Sequence, residues 1–160
     1  MNKSARLNPV IYAPPPLLFV LTFLAGAGLQ RIAPLARPSA GVLRFAREVG
    51  IGMAGAGVLL ALTSVAIFLL VVRTTLIPHG SASKLVTWGP YRFTRNPMYV
   101  SLVTVYIGVA GILGQIWPLL LLALPITLMH RLTIPFEEAR MLDLFGDDFV
   151  QYCERTRRWI

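Results

Sequence analysis

The sequence has little of the material from which metal centres and disulfide scaffolds are built. It contains one cysteine and two histidines among its 160 residues. The lone cysteine, Cys153, excludes an intramolecular disulfide and a thiolate-rich metal site. His79 and His130 add too few ligands for a zinc centre. We therefore predict that the protein binds no metal.

Acidic residues are also scarce, since seven of them stand against 15 lysines and arginines and leave a formal net charge of +8. A basic chain can bind nucleic acid, but these arginines are scattered between apolar runs and form no stripe. Positive flanks of membrane spans, held against anionic lipid, are the simpler interpretation. We therefore predict membrane lipids, and not nucleic acid, as partners.

Hydrophobic residues are what the chain has most of, at 56% of the total and a mean hydropathy of +0.67. These values predict a single all-α integral-membrane domain over residues 1–160. We predict about four transmembrane helices, a tight turn that joins spans three and four into a helical hairpin, and amphipathic helices at the C-terminus. The predicted spans cover residues about 14–33, 49–72, 98–114 and 118–134.

Two apolar segments allow other interpretations. Ala25-Gly26-Ala27 imitates a signal-peptidase site, so a cleaved signal peptide is the alternative to a first span. Residues 50–55 match the dinucleotide-binding pattern G-x-G-x-x-G, but no strand precedes them and their neighbours are uniformly apolar. We expect instead that Gly52, Gly55 and Ala56 let another helix approach closely.

Positive charge predicts the orientation of the spans. With four spans, the N-terminal tail, the loop of residues 73–97 and the segment after span four share one side of the membrane. All basic residues belong to that side except Arg31, Arg37, Arg44 and Arg47. The positive-inside bias makes this side cytoplasmic, and we expect a prokaryotic inner membrane protein whose active site faces the cytoplasm.

Two polar elements on that side stand out. The first reads Gly89-Pro90-Tyr91-Arg92-Phe93-Thr94-Arg95-Asn96-Pro97-Met98-Tyr99, and its two prolines shape a cationic loop. The second begins with Glu137 and Glu138 and continues through Phe145 and Gly146 to Tyr152. Adjacent glutamates point about 100° apart on a helix, so we expect the two to face different partners.

These elements carry a family resemblance. Leu85 to Tyr99 resembles the signature L-V-x-x-G-x-Y-x-x-x-R-[HN]-P-x-Y of the integral-membrane isoprenylcysteine carboxyl methyltransferases and phospholipid methyltransferases. The second element is similar to the family's E-E-x-x-L-x-x-x-F-G-x-x-[FY]-x-x-Y, with Met141 at the position of the leucine. Asn96 stands where the carboxyl methyltransferases usually have histidine. The resemblance covers about half of the chain, roughly residues 75–155.

The resemblance implies S-adenosylmethionine as the cofactor, bound at a face formed by residues about 75–99 and 130–156. We predict Arg95, Glu138 and His130 as catalytic residues, of which Arg95 and Glu138 lie in the two elements that carry the resemblance. The cofactor's carboxylate suits Arg92 or Arg95, its ammonium suits a glutamate, and its adenine suits an aromatic ring. The implied cofactor-binding residues are Gly89, Tyr91, Arg92, Arg95, Asn96, Pro97, Tyr99, Glu137, Glu138, Phe145 and Tyr152.

The function that the resemblance implies is methylation of a lipophilic acceptor, most like the carboxyl O-methylation of a protein S-isoprenylcysteine. The alternative within this class is N-methylation of a phospholipid or amine, which would need a general base such as Glu138 or His130. Two alternatives come from other classes. A non-enzymatic lipid-binding scaffold would not bind a sulfonium nucleoside, and a relative of the membrane sterol reductases, which share a similar Asn-Pro-x-Tyr element, would bind a nicotinamide.

Overall fold

The computed structural model describes residues 14–35, 38–72 and 85–160, and every regular element in these ranges is helical. The all-α membrane fold is therefore confirmed. The α-helices are α1 (Pro15–Ile32), α2 (Ala40–Val72), α3 (Pro97–Leu113), α4 (Ile116–Leu121), α5 (Ala123–Leu128), α6 (Ile134–Phe145) and α7 (Asp147–Arg155). A 3-10 turn covers Gly89–Arg92, and a π-helical segment covers Met129–Thr133.

Three helical stretches are long and apolar enough to cross a membrane, and α3, with 17 residues, is a shorter apolar helix. The three stretches are Pro15–Ile32, Ala40–Leu70 and Ile116–Phe145. Helix α2 has 33 residues, so it is about 50 Å long and exceeds the hydrocarbon core of a bilayer. It begins nine residues before the predicted second span, because Ser39 is a favourable N-terminal residue and no proline follows up to Val72.

Helices α2 and α3 pack backbone against backbone. A Cβ atom added to Gly108 would lie 2.5 Å from the amide nitrogen of Ala54 and 2.7 Å from the carbonyl oxygen of Gly50. A Cβ atom on Gly57 would lie 2.9 Å from the amide nitrogen of Val105. Small residues at positions 50, 54 and 57 share one face of α2, and this lets the two main chains make dense van der Waals contact.

Within the chain, the prediction for the neighbouring glycines is wrong. A Cβ atom on Gly52 or Gly55 would meet nothing within 4 Å, and Ala56 is exposed. Two residues along a helix correspond to a rotation of about 200°, so Gly52 points away from the face on which Gly50 lies. Small residues of α2 do mediate its packing against α3, but they are Gly50, Ala54 and Gly57 and not Gly52, Gly55 and Ala56.

Helix α1 packs against the start of the last span. The indole Nε1 of Trp117 donates a hydrogen bond of 2.7 Å to the carbonyl of Ala33, and a Cβ atom on Gly26 would lie 2.7 Å from Cα of Pro118. Gly114, with φ of 61°, ends α3, and the chain reverses there into α4 to form the predicted hairpin. The buried core between α1, α3 and the last span contains Phe19, Tyr99, Tyr106, Leu122, Met129 and Ile134.

The last span is nearly continuous with the helix that follows it. Pro125 and Pro135 lack the amide hydrogen that an α-helix needs, and the helix is irregular just before each of them, at Leu122 and over Met129–Thr133. These irregular turns accommodate the prolines without ending the helix, so helical structure runs from Ile116 to Phe145. The predicted fourth span lies inside this stretch, and α6 carries Glu137 and Glu138 near its beginning.

Candidate functional site

The loop before α3 is held against α2. Val86 and Tyr91 are buried and pack against Ile67 of α2. Gly89 has φ of +62°, and a Cβ atom there would lie 2.8 Å from Cδ1 of Ile67. The positive φ favours glycine at this position, and a larger residue would also have to displace the end of the Ile67 side chain. The turn leaves Arg92 exposed to solvent and leads the chain to Arg95, which is largely buried.

An ion-pair cluster joins this loop to α6. Arg95 Nη2 lies 3.1 Å from Glu138 Oε1, and Arg158 binds the same carboxylate through Nε at 3.1 Å and Nη2 at 2.5 Å. The hydrogen bonds to Glu138 raise the pKa of Arg158 further above its ordinary value. Only 21% of the Glu138 side chain is exposed, so a largely buried carboxylate is neutralised by two guanidinium groups.

Glu137 has a different partner. The hydroxyl of Tyr99 donates a hydrogen bond of 2.6 Å to Glu137 Oε1. Tyr99 is buried, and within the described part of the chain no cation forms an ion pair with Glu137. The prediction that the two adjacent glutamates face different partners is confirmed.

Helix α7 contacts the loop through a pair of tyrosines. The hydroxyl of Tyr152 donates a hydrogen bond of 2.7 Å to the carbonyl of Tyr91. Burial raises the pKa of Tyr152 to about 12, and burial also raises that of Tyr91. Both phenols are therefore neutral at physiological pH, and Tyr152 remains a hydrogen-bond donor.

The C-terminal segment crosses the loop. The amide of Arg95 donates a hydrogen bond of 2.9 Å to the carbonyl of Arg157. The carbonyl of Arg158 accepts two hydrogen bonds, from Asn96 Nδ2 at 2.9 Å and from the hydroxyl of Thr94 at 3.2 Å. The last residues of the chain are thus part of the same assembly as the loop.

A groove of about 500 Å³ lies between the loop and α7. It presents two guanidinium groups, one carboxylate, a side-chain amide and several hydroxyls. This combination suits a zwitterionic ligand with further hydrogen-bonding groups. The lining residues are Leu85, Thr87, Arg92, Asp148, Gln151, Tyr152, Arg155 and Thr156.

The structure brings most of the predicted site residues together. Arg95 with Glu138, Tyr99 with Glu137, and Tyr91 with Tyr152 form three contacts at one end of the molecule, and Asn96 and Pro97 begin α3 beside them. Arg92 and Tyr152 line the groove. Residues 75–84 of the predicted face lie outside the described residues.

Two predicted residues lie apart from these contacts. Phe145 ends α6 and is not among the described residues that line the groove. His130 accepts a hydrogen bond of 3.2 Å at Nδ1 from the indole of Trp159. This bond occupies one imidazole nitrogen and makes Nε2 the one that carries the proton in the neutral ring.

Sequence reasoning missed the residues that surround the predicted ones. Arg158, Trp159 and Thr94 hold the loop, and Thr87, Asp148, Gln151 and Arg155 line the groove. The only available signal was the basic run at residues 155–159, which is equally typical of a lipid-facing tail. In the described ranges, no three His, Cys, Asp or Glu side chains are grouped so that they could hold a metal ion.

Comparison with known proteins identifies the family. A sequence model of the family described as phospholipid methyltransferase matches residues 45–148, more than half of the chain. Comparisons with curated proteins and with solved structures found no match. The family match spans the loop, the last span and α6, and thus both glutamates. On this evidence the chain belongs to the phospholipid methyltransferase family and is a membrane methyltransferase.

Proposed function

We propose that this protein transfers a methyl group from S-adenosylmethionine to a lipophilic acceptor at the cytoplasmic face of the membrane. The observation that carries the proposal is the ion pair between Arg95 and Glu138, at 3.1 Å. It joins the two sequence elements that are typical of the family at one place in the fold. Methyltransferases of this kind generally use S-adenosylmethionine, and the basic side of the molecule supports a cytoplasmic site.

The residues around the groove fit this cofactor. Arg92 and Arg155 suit its carboxylate, and Asp148 suits its ammonium group. Arg95 Nε is buried and has no hydrogen-bond acceptor among the described residues. An unsatisfied buried donor is destabilising, and a bound carboxylate would satisfy it. The cofactor's sulfonium supplies an activated methyl group, so the protein's own contribution is to orient the two reactants and exclude water.

Our first candidate acceptor is the carboxylate of a prenylated cysteine. A carboxylate is nucleophilic at neutral pH and needs no general base. The prenyl chain would remain in the bilayer, so the acceptor would approach from the side of the spans. The partners in this proposal are a lipophilic or prenylated substrate and membrane lipids.

One observation favours a second acceptor, the amine of phosphatidylethanolamine. An ammonium group must lose a proton before it attacks, and Glu137 carries no ion pair to a described residue. Both oxygens of Glu138 are already engaged by guanidinium groups, whereas Glu137 accepts a hydrogen bond only from the hydroxyl of Tyr99 among the described residues. If the acceptor is an amine, Glu137 is the residue that would accept its proton.

Calorimetric titration of the detergent-purified protein with S-adenosylmethionine and with S-adenosylhomocysteine tests the proposal. We expect saturable binding of both. Arg95→Ala should weaken binding about tenfold or more, the size expected for one hydrogen bond to a charged group. Arg44→Ala, an exposed arginine on α2, should bind like the wild type. A folded protein that binds neither nucleoside would overturn the proposal.

The acceptor is then identified by methyl transfer. The purified protein is incubated with labelled S-adenosylmethionine and either N-acetyl-S-farnesylcysteine or vesicles of phosphatidylethanolamine. Transfer to the farnesylcysteine supports the first candidate. Transfer to the phospholipid alone supports the second, and the variant Glu137→Gln should then lose activity while it retains cofactor binding.

A further inference from the structure

We propose that the C-terminal segment Thr156–Trp159 is a positioning element of this site, and that Arg158 sets the orientation of the Glu138 carboxylate. The segment lies beyond residues 45–148, which the family model matches. The inference rests on the proposed function only for the identity of the ligand, S-adenosylmethionine, whose binding the segment affects. The contacts that carry it belong to the chain itself.

Part of the loop's backbone lies outside any helix. Residues 93–96 lie between the 3-10 turn and α3, where no helix supplies hydrogen-bond acceptors to every amide. The carbonyl of Arg157 accepts from the amide of Arg95, and the carbonyl of Arg158 accepts from the side chains of Thr94 and Asn96. The segment therefore fixes the backbone that carries Arg95. Asn96, in this chain, contacts the C-terminal segment through its side-chain amide.

Arg95 and Arg158 contact the Glu138 carboxylate in different ways. Arg95 engages only Oε1, whereas Arg158 reaches both carboxylate oxygens. A bidentate guanidinium holds the carboxylate in one plane, which a single contact does not. Arg158 thus fixes Glu138 in the orientation in which it meets Arg95. Without Arg158, the carboxylate can rotate and the position of the Arg95 guanidinium is no longer fixed from two sides.

The C-terminal segment is itself held in place by Trp159. Trp159 packs against the buried core between α1, α3 and the last span, and its indole donates to His130. The next residue, Ile160, is 81% exposed. Trp159 thus anchors the segment by apolar packing as well as by a hydrogen bond.

A matched pair of variants tests the role of the Arg158 side chain. Arg158→Ala and Arg157→Ala each remove one positive charge from adjacent positions, but only the Arg158 side chain contacts Glu138, and Arg157 is exposed. We expect the Kd for S-adenosylmethionine to rise about tenfold in Arg158→Ala and to change less than about twofold in Arg157→Ala. Arg158→Lys, which keeps the charge, should recover part of the affinity. Equal effects of the two alanine variants would overturn the proposal.

Hydrogen exchange tests the segment without any ligand. We expect faster exchange at the Arg95 amide in a protein that ends at Arg155, and unchanged exchange when only Ile160 is removed. If the truncated protein does not fold, the point variant Asn96→Ala supplies the same readout, because it removes only the side-chain donor to Arg158. Unchanged exchange at residues 94–96 in the protein that ends at Arg155, or in Asn96→Ala where that protein does not fold, would reject the segment's role. This readout is decisive even if the protein binds no cofactor, so the two proposals fail separately.

Discussion

At the scale of single residues, neighbouring side chains of one type have different environments. Glu137 and Glu138 are adjacent, yet one accepts a hydrogen bond from a buried tyrosine and the other binds two arginines. The helical rotation between them directs one carboxylate to α3 and the other to the loop and the C-terminal segment. Their surroundings differ accordingly, because Glu138 meets two guanidinium groups and Glu137 meets a phenol.

The first residue-scale prediction concerns Glu138→Gln. This change keeps the shape of the side chain and leaves two partly buried guanidinium groups without a counter-charge. We expect the free energy of unfolding to fall by about 1–3 kcal/mol, less than for a fully buried pair because the cluster is partly solvated. Thermal unfolding measures the effect. Glu154→Gln, at an exposed position on α7, is the control, and equal losses in both would contradict the prediction.

The second residue-scale prediction concerns alkaline pH. The pKa of Tyr152 is raised to about 12 in the folded protein, above its ordinary value of about 10. The stability that this shift contributes is fully present below about pH 10 and is lost as the pH rises towards about 12. We expect the wild-type Tm to fall more steeply over this window than that of Tyr152→Phe. Parallel pH profiles of the two proteins would show that Tyr152 is not responsible.

At the scale of helices, the closest packing in the fold depends on missing side chains. Gly50, Ala54 and Gly57 on α2 meet Gly108 and its neighbours on α3. In a membrane, lipid tails cover apolar surface as favourably as another helix does, so there is no hydrophobic driving force between helices. Close approach of the two main chains instead provides the dispersion contacts that hold the helices together. This contact places α3, and therefore the loop that precedes it, at a defined height on α2.

A pair of glycine substitutions tests this packing. Gly108→Ala would bring a Cβ atom to 2.5 Å from the backbone of α2, and neither helix can yield without moving as a whole. We expect its Tm to fall by several degrees, for a loss of roughly 1–3 kcal/mol. Gly55→Ala meets open space and should leave stability unchanged or raise it by up to about 1 kcal/mol through helix propensity. The prediction fails if Gly108→Ala is as stable as Gly55→Ala.

At the scale of the whole molecule, the two ends of the helical bundle differ. One end is closed by Trp117, which binds the C-terminal end of α1, and by the turn at Gly114. The other end collects the loop, α6, α7 and the C-terminal segment, with most of the described positive charge. The asymmetry suits the proposed reaction, in which the acceptor would come from the bilayer and the cofactor from water.

Orientation is the prediction at this scale. We expect a green fluorescent protein fused after Ile160 to fluoresce in bacteria, because the C-terminal side carries the excess of arginine. Alkaline phosphatase inserted after Ser39, between α1 and α2, should be active only outside the cytoplasm, and we expect it to be active. The reverse result for both reporters would invert the topology and move the proposed site to the other face.

The sequence by itself determined the properties that depend on local composition and period. Apolar run length predicted the long apolar helices, and the helical period separated Glu137 from Glu138. The elements that begin at Leu85 and Glu137 identified the family, and the match to residues 45–148 confirmed it. Such features are local because each is read from residues that are adjacent or one helical turn apart.

Only the tertiary structure decided which residues meet across long distances in the chain. It showed that Gly50 and Gly57, not Gly52 and Gly55, face α3, since the facing side of an all-apolar helix has no sequence signal. It also brought Arg158 to Glu138, 20 residues away, and its carbonyl to Asn96, 62 residues away. A basic run next to a membrane can bind anionic lipid or pair with a buried carboxylate. Only the fold shows that Arg158 pairs with the carboxylate of Glu138.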